Sequence, residues 1–201
     1  ARATSYAKQW KAGENGSIIK NIDIDDMEAL AYGKDIDKDV IETIYDALKQ
    51  GERNGDYFIS EVAIKSILSP DGGMVLLQIE PIPAGNTALL RLNINQDAFA
   101  GKTLDEINEA IKQSRNTVIE NLEEAAIHER GHAKTIQGLS INAIEELYKE
   151  LEGKGIGSIS RLAKLDGAEA LAEIEVLLSR GDYISDEAEA LYNKYIRRRD
   201  K

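Results

Sequence analysis

The two histidines of this chain lie four residues apart, and a glutamate directly follows the first of them. His128 and His132 are the only histidines among 201 residues, and both belong to the stretch IHERGHA at 127–133. On a helix, side chains at positions i and i+4 project from the same face, so both imidazoles could bind one metal ion. Glu129 would lie about 100° around that helix, within reach of a water molecule on the ion. The spacing therefore predicts a metal site with a neighbouring base.

The chemistry that suits such a site is hydrolysis by activated water. Zinc held by nitrogen and carboxylate ligands lowers the pKa of a bound water molecule to roughly 7. Glu129 would take the proton of this water as it attacks an amide carbonyl, and would then protonate the leaving amine. The alternative interpretation is a pair of surface histidines on an amphipathic helix.

Two features of the helix favour the metal site. The 3.6-residue period places Glu129 and His132 in the apolar stripe formed by Val118, Leu122, Ala125 and Ile136. A carboxylate and an imidazole that face the core are costly unless something pairs with them, which a metal ion would do. Gly131 in the middle of a helix costs about 1 kcal/mol relative to alanine, which predicts that another backbone approaches closely there.

A third ligand is expected because zinc with two protein ligands is held weakly. No further histidine exists, so the candidates are carboxylates, and the segment GAEALAEIEVLL at 167–178 is apolar nearly all round, as in a buried helix. Glu169 and Glu173 lie four apart on one face of it. One of them could bind the metal while the other accepts the N–H of a ligating histidine. The alternative is that both are solvated charges on an ordinary helix.

Composition argues against several other classes of function. The formal net charge of −11 opposes binding to a phosphate backbone, so no nucleic-acid partner is predicted. The absence of cysteine excludes disulfides and thiolate metal sites, and suits a reducing cytoplasm or a virus particle. No apolar run reaches the roughly 18–20 residues of a membrane span, and the opening ARATSYAKQW lacks a signal-peptide pattern. No membrane partner is predicted either.

The order of the predicted elements is typical of an α+β fold. After two helices come three strand-like segments, of which the second is the most continuously apolar and is predicted to be the most buried: YFISEVAIKSIL, GMVLLQIEPI and TALLRLNI. The capping patterns TLDE and TVIE predict that helices begin at Thr103 and Thr117. Further helices are predicted at about 140–152, 168–179 and 184–198. Residues 1–30 are interpreted as an N-terminal arm, or as the first part of the domain that occupies 31–201.

HERGHA, with EALAE beginning 37 residues after His132, resembles the gluzincin branch of zinc metallopeptidases. It is most similar to the zincin domains of phage minor head (head-morphogenesis) proteins and to the catalytic domain of anthrax lethal factor. The resemblance extends over 87–178, where LRLNINQDAF is similar to the strand and turn that precede the active-site helix in the phage domains. It implies a zincin-like fold, with a small twisted sheet of three or four strands followed by an active-site helix and C-terminal helices.

The resemblance also implies a role for each site residue. It makes His128, His132 and Glu169 the ligands of Zn²⁺, Glu129 the general base, and Glu173 a supporting residue behind the ligands. The implied activity is cleavage of a polypeptide substrate by a phage or prophage head protein, in the bacterial cytoplasm or the virion, with capsid or portal proteins as partners. The strand TALLRLNI is implied to be the sheet edge that binds an extended peptide by strand addition.

One position departs from the family's pattern. The tyrosine that stabilises the oxyanion in the family would fall in ISRLA at 159–163, where this chain has Leu162. The loss of such a donor typically costs about 10²–10³ in rate. Tyr183 and Arg161 are the candidate replacements. The departure favours a second hypothesis, a non-catalytic virion structural or interaction module that keeps the zincin fold.

Overall fold

The computed structural model describes residues 18–20, 23–69 and 74–197. Over these residues, four strands form one sheet and eight helices accompany it, five of them after the last strand of the sheet and its short following helix α3, which confirms an α+β fold. The elements in chain order are β1 (Ile18–Lys20), α1 (Ile24–Tyr32), α2 (Lys38–Arg53), β2 (Glu61–Lys65), β3 (Leu77–Ala84), β4 (Thr87–Asn95), α3 (Gln96–Phe99), α4 (Leu104–Lys112), α5 (Leu122–Ile136), α6 (Ile141–Leu151), α7 (Gly167–Arg180) and α8 (Asp186–Tyr195).

The four strands form one mixed sheet in the order β1-β2-β4-β3. The β2–β4 pair is parallel, and the β1–β2 and β3–β4 pairs are antiparallel. One face of the sheet supplies the core with aliphatic side chains, among them Val62, Ile64, Ile79, Leu90 and Leu92. The predicted division at 30/31 falls inside α1, and Met27 and Ala31 of that helix are buried in the same core.

Two predictions about the strands are wrong. The segment TALLRLNI was expected to be the sheet edge, but it forms β4, which lies between β2 and β3. The segment predicted to be the most buried strand overlaps β3, which has a neighbour on one side only among the described strands and buries three of its eight residues, Leu77, Ile79 and Pro81. Pro81 and Pro83 explain the outcome, because a proline cannot donate to a neighbouring strand and is therefore confined to edges.

Helix α5 lies at the centre of the helical layer, where it packs against α2, α7 and β3. Contact on three sides explains why twelve of its fifteen residues are buried. Its predicted start at Thr117 is wrong, because the helix is capped by Asn121, whose side chain accepts from the Glu124 N–H at 3.0 Å. The predicted capping box at Thr103 and Glu106 is confirmed. No described helix has the length and apolar character that crossing a membrane requires.

Candidate metal centre

Helices α5 and α7 run antiparallel and touch at a glycine. Glu124, near the start of α5, pairs with Arg180 at the end of α7, whereas His132 lies beside Glu169 in the first turn of α7. A Cβ atom built on Gly131 would lie 2.7 Å from Ala172 Cα, which is closer than such atoms approach in proteins. The prediction that another backbone comes close at Gly131 is therefore confirmed, and this contact allows a carboxylate of α7 to reach the histidines of α5.

Three potential ligand atoms converge where the helices cross. His128 Nε2 and His132 Nε2 are 3.2 Å apart, and Glu169 Oε2 lies 3.3 Å from the first and 3.8 Å from the second. Two ligand atoms on a tetrahedral zinc ion, each about 2.0–2.1 Å from it, would be roughly 3.4 Å apart. These three residues could therefore hold a metal ion with little movement of their side chains.

The edge-on contact of the two rings also fits a shared cation. The ring planes are 79° apart, and both Nε2 atoms point into the same small space, next to a carboxylate oxygen. Without a metal ion, two neutral imidazoles at this distance can share one N–H···N hydrogen bond. A metal ion would instead bind a lone pair of each nitrogen and the carboxylate oxygen at the same time. Two imidazoles and one carboxylate form a donor set known from catalytic zinc sites, in which the fourth position remains open.

Glu173 lies behind the centre and is fully buried. Its Oε1 is 3.9 Å from His128 Nδ1, which is beyond hydrogen-bond distance, and that nitrogen is buried without a hydrogen-bond partner. The carboxylate instead accepts the Thr117 hydroxyl and, at 2.9 Å, the Val118 N–H. Glu173 thus holds the segment that precedes α5, and it is the carboxylate nearest to the unsatisfied ring nitrogen.

Glu129 is the carboxylate beside the centre that could serve as a base. It is 9% exposed, and its Oε2 accepts the backbone N–H of Ile79 at 2.8 Å. Burial raises the pKa of Glu129 to about 7, although the neighbouring His132 side chain and the hydrogen bond from Ile79 act to lower it. A pKa near neutrality suits a group that must first accept and then return a proton.

A second buried charge cluster lies on the opposite face of α5, and sequence reasoning missed it. Glu175 Oε1 accepts Arg130 Nε at 2.9 Å and Lys134 Nζ at 2.8 Å, and its Oε2 accepts the Tyr192 hydroxyl. The cluster ties α5 to α7 and α8. A signal was present, since an acidic residue in an otherwise apolar helix requires a buried partner, and Arg130 and Lys134 share one helical face.

The candidate replacements for the family's tyrosine lie elsewhere. Tyr183 follows the C-terminus of α7 and is 87% exposed. Glu169 belongs to the first turn of that helix and is separated from its last residue by about 16 Å at 1.5 Å per residue. Arg161 is exposed in the loop before α7, and the neighbouring Leu162 N–H donates to the Asn116 carbonyl. Both Tyr183 and Arg161 therefore lie at the surface.

Replacing His132 by alanine should abolish stoichiometric metal binding. The wild-type chain, purified without a histidine tag and supplied with zinc, should contain about one zinc ion per chain, whereas His132→Ala leaves one imidazole and one carboxylate. Elemental analysis measures the stoichiometry, and Glu123→Ala, at an exposed position of α5, is the control that should keep the ion. Equal zinc content in wild type and His132→Ala would contradict the assignment.

We compared the chain with protein-family models, curated proteins and solved structures, and none of them matches it.

Proposed function

We propose that this chain is a zinc-dependent peptidase domain that hydrolyses peptide bonds. The observation that carries the proposal is the convergence of two imidazole nitrogens and one carboxylate oxygen within 3.2–3.8 Å, beside a second, buried carboxylate. His128 and Glu129 are buried and His132 and Glu169 are partly buried, which costs free energy that a metal ion pairing with these groups would offset. Structural zinc sites use four protein ligands, whereas three ligands leave a position for a reactant.

In this proposal each residue has a defined task. His128, His132 and Glu169 hold the ion, which when bound supplies Lewis acidity for a water molecule and a substrate carbonyl. Glu129 accepts the proton of the attacking water and passes it to the leaving amine. Glu173 lies where it can receive the N–H of His128 Nδ1 after a small movement, which would fix the ring for metal binding.

The proposed substrate is a polypeptide in extended conformation along β3. This strand replaces β4 as the candidate edge because it lies at the end of the described sheet and contacts α5. An extended chain beside it would place a peptide carbonyl near the metal centre, and its N–H groups would donate to the outward carbonyls of the strand, which supplies affinity independent of side chains.

The proposed setting is a phage or prophage head protein, present in the bacterial cytoplasm or the virion, with capsid or portal proteins as partners. It rests on the resemblance of HERGHA and EALAE to the zincin domains of phage minor head proteins. A second candidate function is a structural or interaction module of the virion that keeps the fold without turnover. Leu162 at the position of the family's tyrosine is the observation that favours it.

Removal and return of zinc tests the proposed function. Zinc-loaded protein should hydrolyse casein or cleave itself, lose this activity when a chelator removes the ion, and regain it when zinc is added back. His132→Ala, treated in the same way, controls for a contaminating peptidase, since it should remain inactive after zinc is restored. Activity that survives complete zinc removal would contradict the proposal, and no activity in fully loaded protein would favour the structural module.

A further inference from the structure

On the side of β3 that faces away from β4, a backbone N–H group donates a hydrogen bond to the proposed base, Glu129. The Asn95 N–H donates to the Leu76 carbonyl at 3.0 Å, and hydrogen-bonded pairs alternate with non-bonded pairs along an antiparallel ladder. In the observed register the backbone groups that face away from β4 therefore belong to residues 77, 79, 81 and 83. The Ile79 N–H is one of these groups, and it points to Glu129 Oε2 at 2.8 Å.

The prolines of β3 occupy the next two outward positions. Pro81 and Pro83 carry no N–H, so no backbone donor follows Ile79 on this side of the strand up to Ala84. Their positions agree with the register, because proline is tolerated where a strand's N–H would face away from the ladder. From Ile79 onward the edge therefore consists of carbonyl oxygens and a single donor, and that donor is bound to Glu129.

We propose that the Ile79 N–H positions the Glu129 carboxylate for catalysis. The bond anchors one carboxylate oxygen to the sheet, so the other oxygen keeps a fixed orientation beside the three ligands. A backbone donor in a paired strand has almost no rotational freedom, unlike a side-chain donor, so it holds the carboxylate more rigidly. The inference rests on the proposed function, since it concerns the geometry of the proposed base. Groups that orient the ligands of a metal site are typically worth about 10–100-fold in metal affinity or activity, and we expect a donor that orients the base to have an effect of the same order.

Amide hydrogen exchange measured by NMR tests the contact without any need for activity. In wild type the Ile79 amide should be protected, and in Glu129→Ala it should exchange about tenfold or more faster, because a hydrogen bond to a buried carboxylate is lost. Glu129→Gln, which retains an acceptor oxygen, should preserve most of the protection. The ladder amides of Gln78 and Glu80 are internal controls that should not respond. Equal exchange of the Ile79 amide in wild type and Glu129→Ala would overturn the proposal.

Deletion of the donor tests its effect on catalysis. Ile79→Pro removes the N–H at a position equivalent to those of Pro81 and Pro83, so the ladder to β4 stays intact. Ile79→Pro also shortens the buried Ile79 side chain. The reference variant is therefore Ile79→Ala, which shortens this side chain further but keeps the backbone N–H. We expect kcat of Ile79→Pro to be about 10–100-fold below that of Ile79→Ala, with equal zinc content and similar KM.

The two measurements separate the possible failures. Equal kcat in folded, zinc-loaded Ile79→Pro and Ile79→Ala would overturn a positioning role. If Ile79→Pro does not fold, the exchange measurement still decides whether the contact exists. If the Ile79 amide responds to Glu129→Ala as expected but loaded wild type hydrolyses no peptide, the carboxylate is held as proposed, and it is the peptidase function that fails.

Discussion

Replacing Glu129 by glutamine should lower the rate of peptide-bond hydrolysis by about 10²–10⁴-fold while zinc remains bound. Glutamine has nearly the same shape as glutamate and can still accept the Ile79 N–H through its amide oxygen. It cannot, however, take a proton from water at neutral pH. The change therefore removes the proposed base and leaves the three proposed ligands untouched. Initial rates of casein hydrolysis, measured on protein with verified zinc content, give the effect.

The comparison with His132→Ala makes this result specific. Both variants should be inactive, but Glu129→Gln should bind zinc like wild type, whereas His132→Ala should not. If Glu129→Gln hydrolyses casein as fast as wild type, Glu129 is not the base and the proposed mechanism is wrong. If Glu129→Gln also loses the ion, Glu129 takes part in binding the metal.

Replacing Glu175 by glutamine should reduce the free energy of unfolding by about 3–5 kcal/mol at neutral pH. Glu175 is 3% exposed and accepts from Arg130, Lys134 and Tyr192. Removal of its charge leaves a buried guanidinium without this carboxylate partner, and Lys134 retains its ion pair with Asp56, at 3.3 Å. Urea unfolding of zinc-free protein measures the loss without a contribution from metal binding.

The same carboxylate should make stability depend on pH. Burial alone would raise the pKa of Glu175, but the charge of Lys134 and the hydrogen bonds from Lys134 and Tyr192 outweigh it, so the pKa lies below its ordinary value of 4.5. A pKa that is lower in the folded chain than in the unfolded chain means that the ionised form stabilises the fold. This stabilisation is fully present above pH 4.5 and is lost as the pH falls through the folded-state pKa. The difference between wild type and Glu175→Gln should therefore shrink in acid.

Glu150→Gln is the matched control for these measurements. Glu150 also accepts a tyrosine hydroxyl and a lysine ammonium group, from Tyr195 and Lys194, but it lies at the surface. Water replaces such contacts readily, so its loss should leave the free energy of unfolding almost unchanged. A loss of similar size in Glu150→Gln and Glu175→Gln would show that burial is not the cause.

The histidine pair was predictable because its geometry is local. Two side chains four residues apart on a helix must share a face, and that follows without knowledge of the rest of the fold. The close approach at Gly131 was predictable for a similar reason, since a glycine inside a helix needs a cause. The choice between Glu169 and Glu173 was not, because it depends on where α7 crosses α5. Only the family resemblance pointed to Glu169, which the structure places beside both histidines.

The arrangement of the strands was harder to predict from the sequence. A continuous apolar run is typical of a buried strand, and the run at 73–82 therefore predicts the most buried strand of the three. Two features of β3 indicate an edge strand instead. Its buried residues alternate with partly buried ones from Leu77 to Ile82, and it contains Pro81 and Pro83. The start of α5 was misplaced for a comparable reason. Thr117 fits a capping pattern, but its hydroxyl binds Glu173, a partner 56 residues away that no local pattern reveals.

Only one of the three proposed ligands lies outside α5, so the shape of the centre depends on how closely two helices approach each other. Gly131 permits that approach, and Glu169 belongs to the turn of α7 just before Ala172, which Gly131 contacts. A single methyl group at position 131 would push α7 outward and carry the third ligand away from both imidazoles. A descendant of this chain could thus retain every proposed donor atom and still be unable to bind a metal ion, so matching ligand residues in a sequence do not by themselves guarantee a metal site.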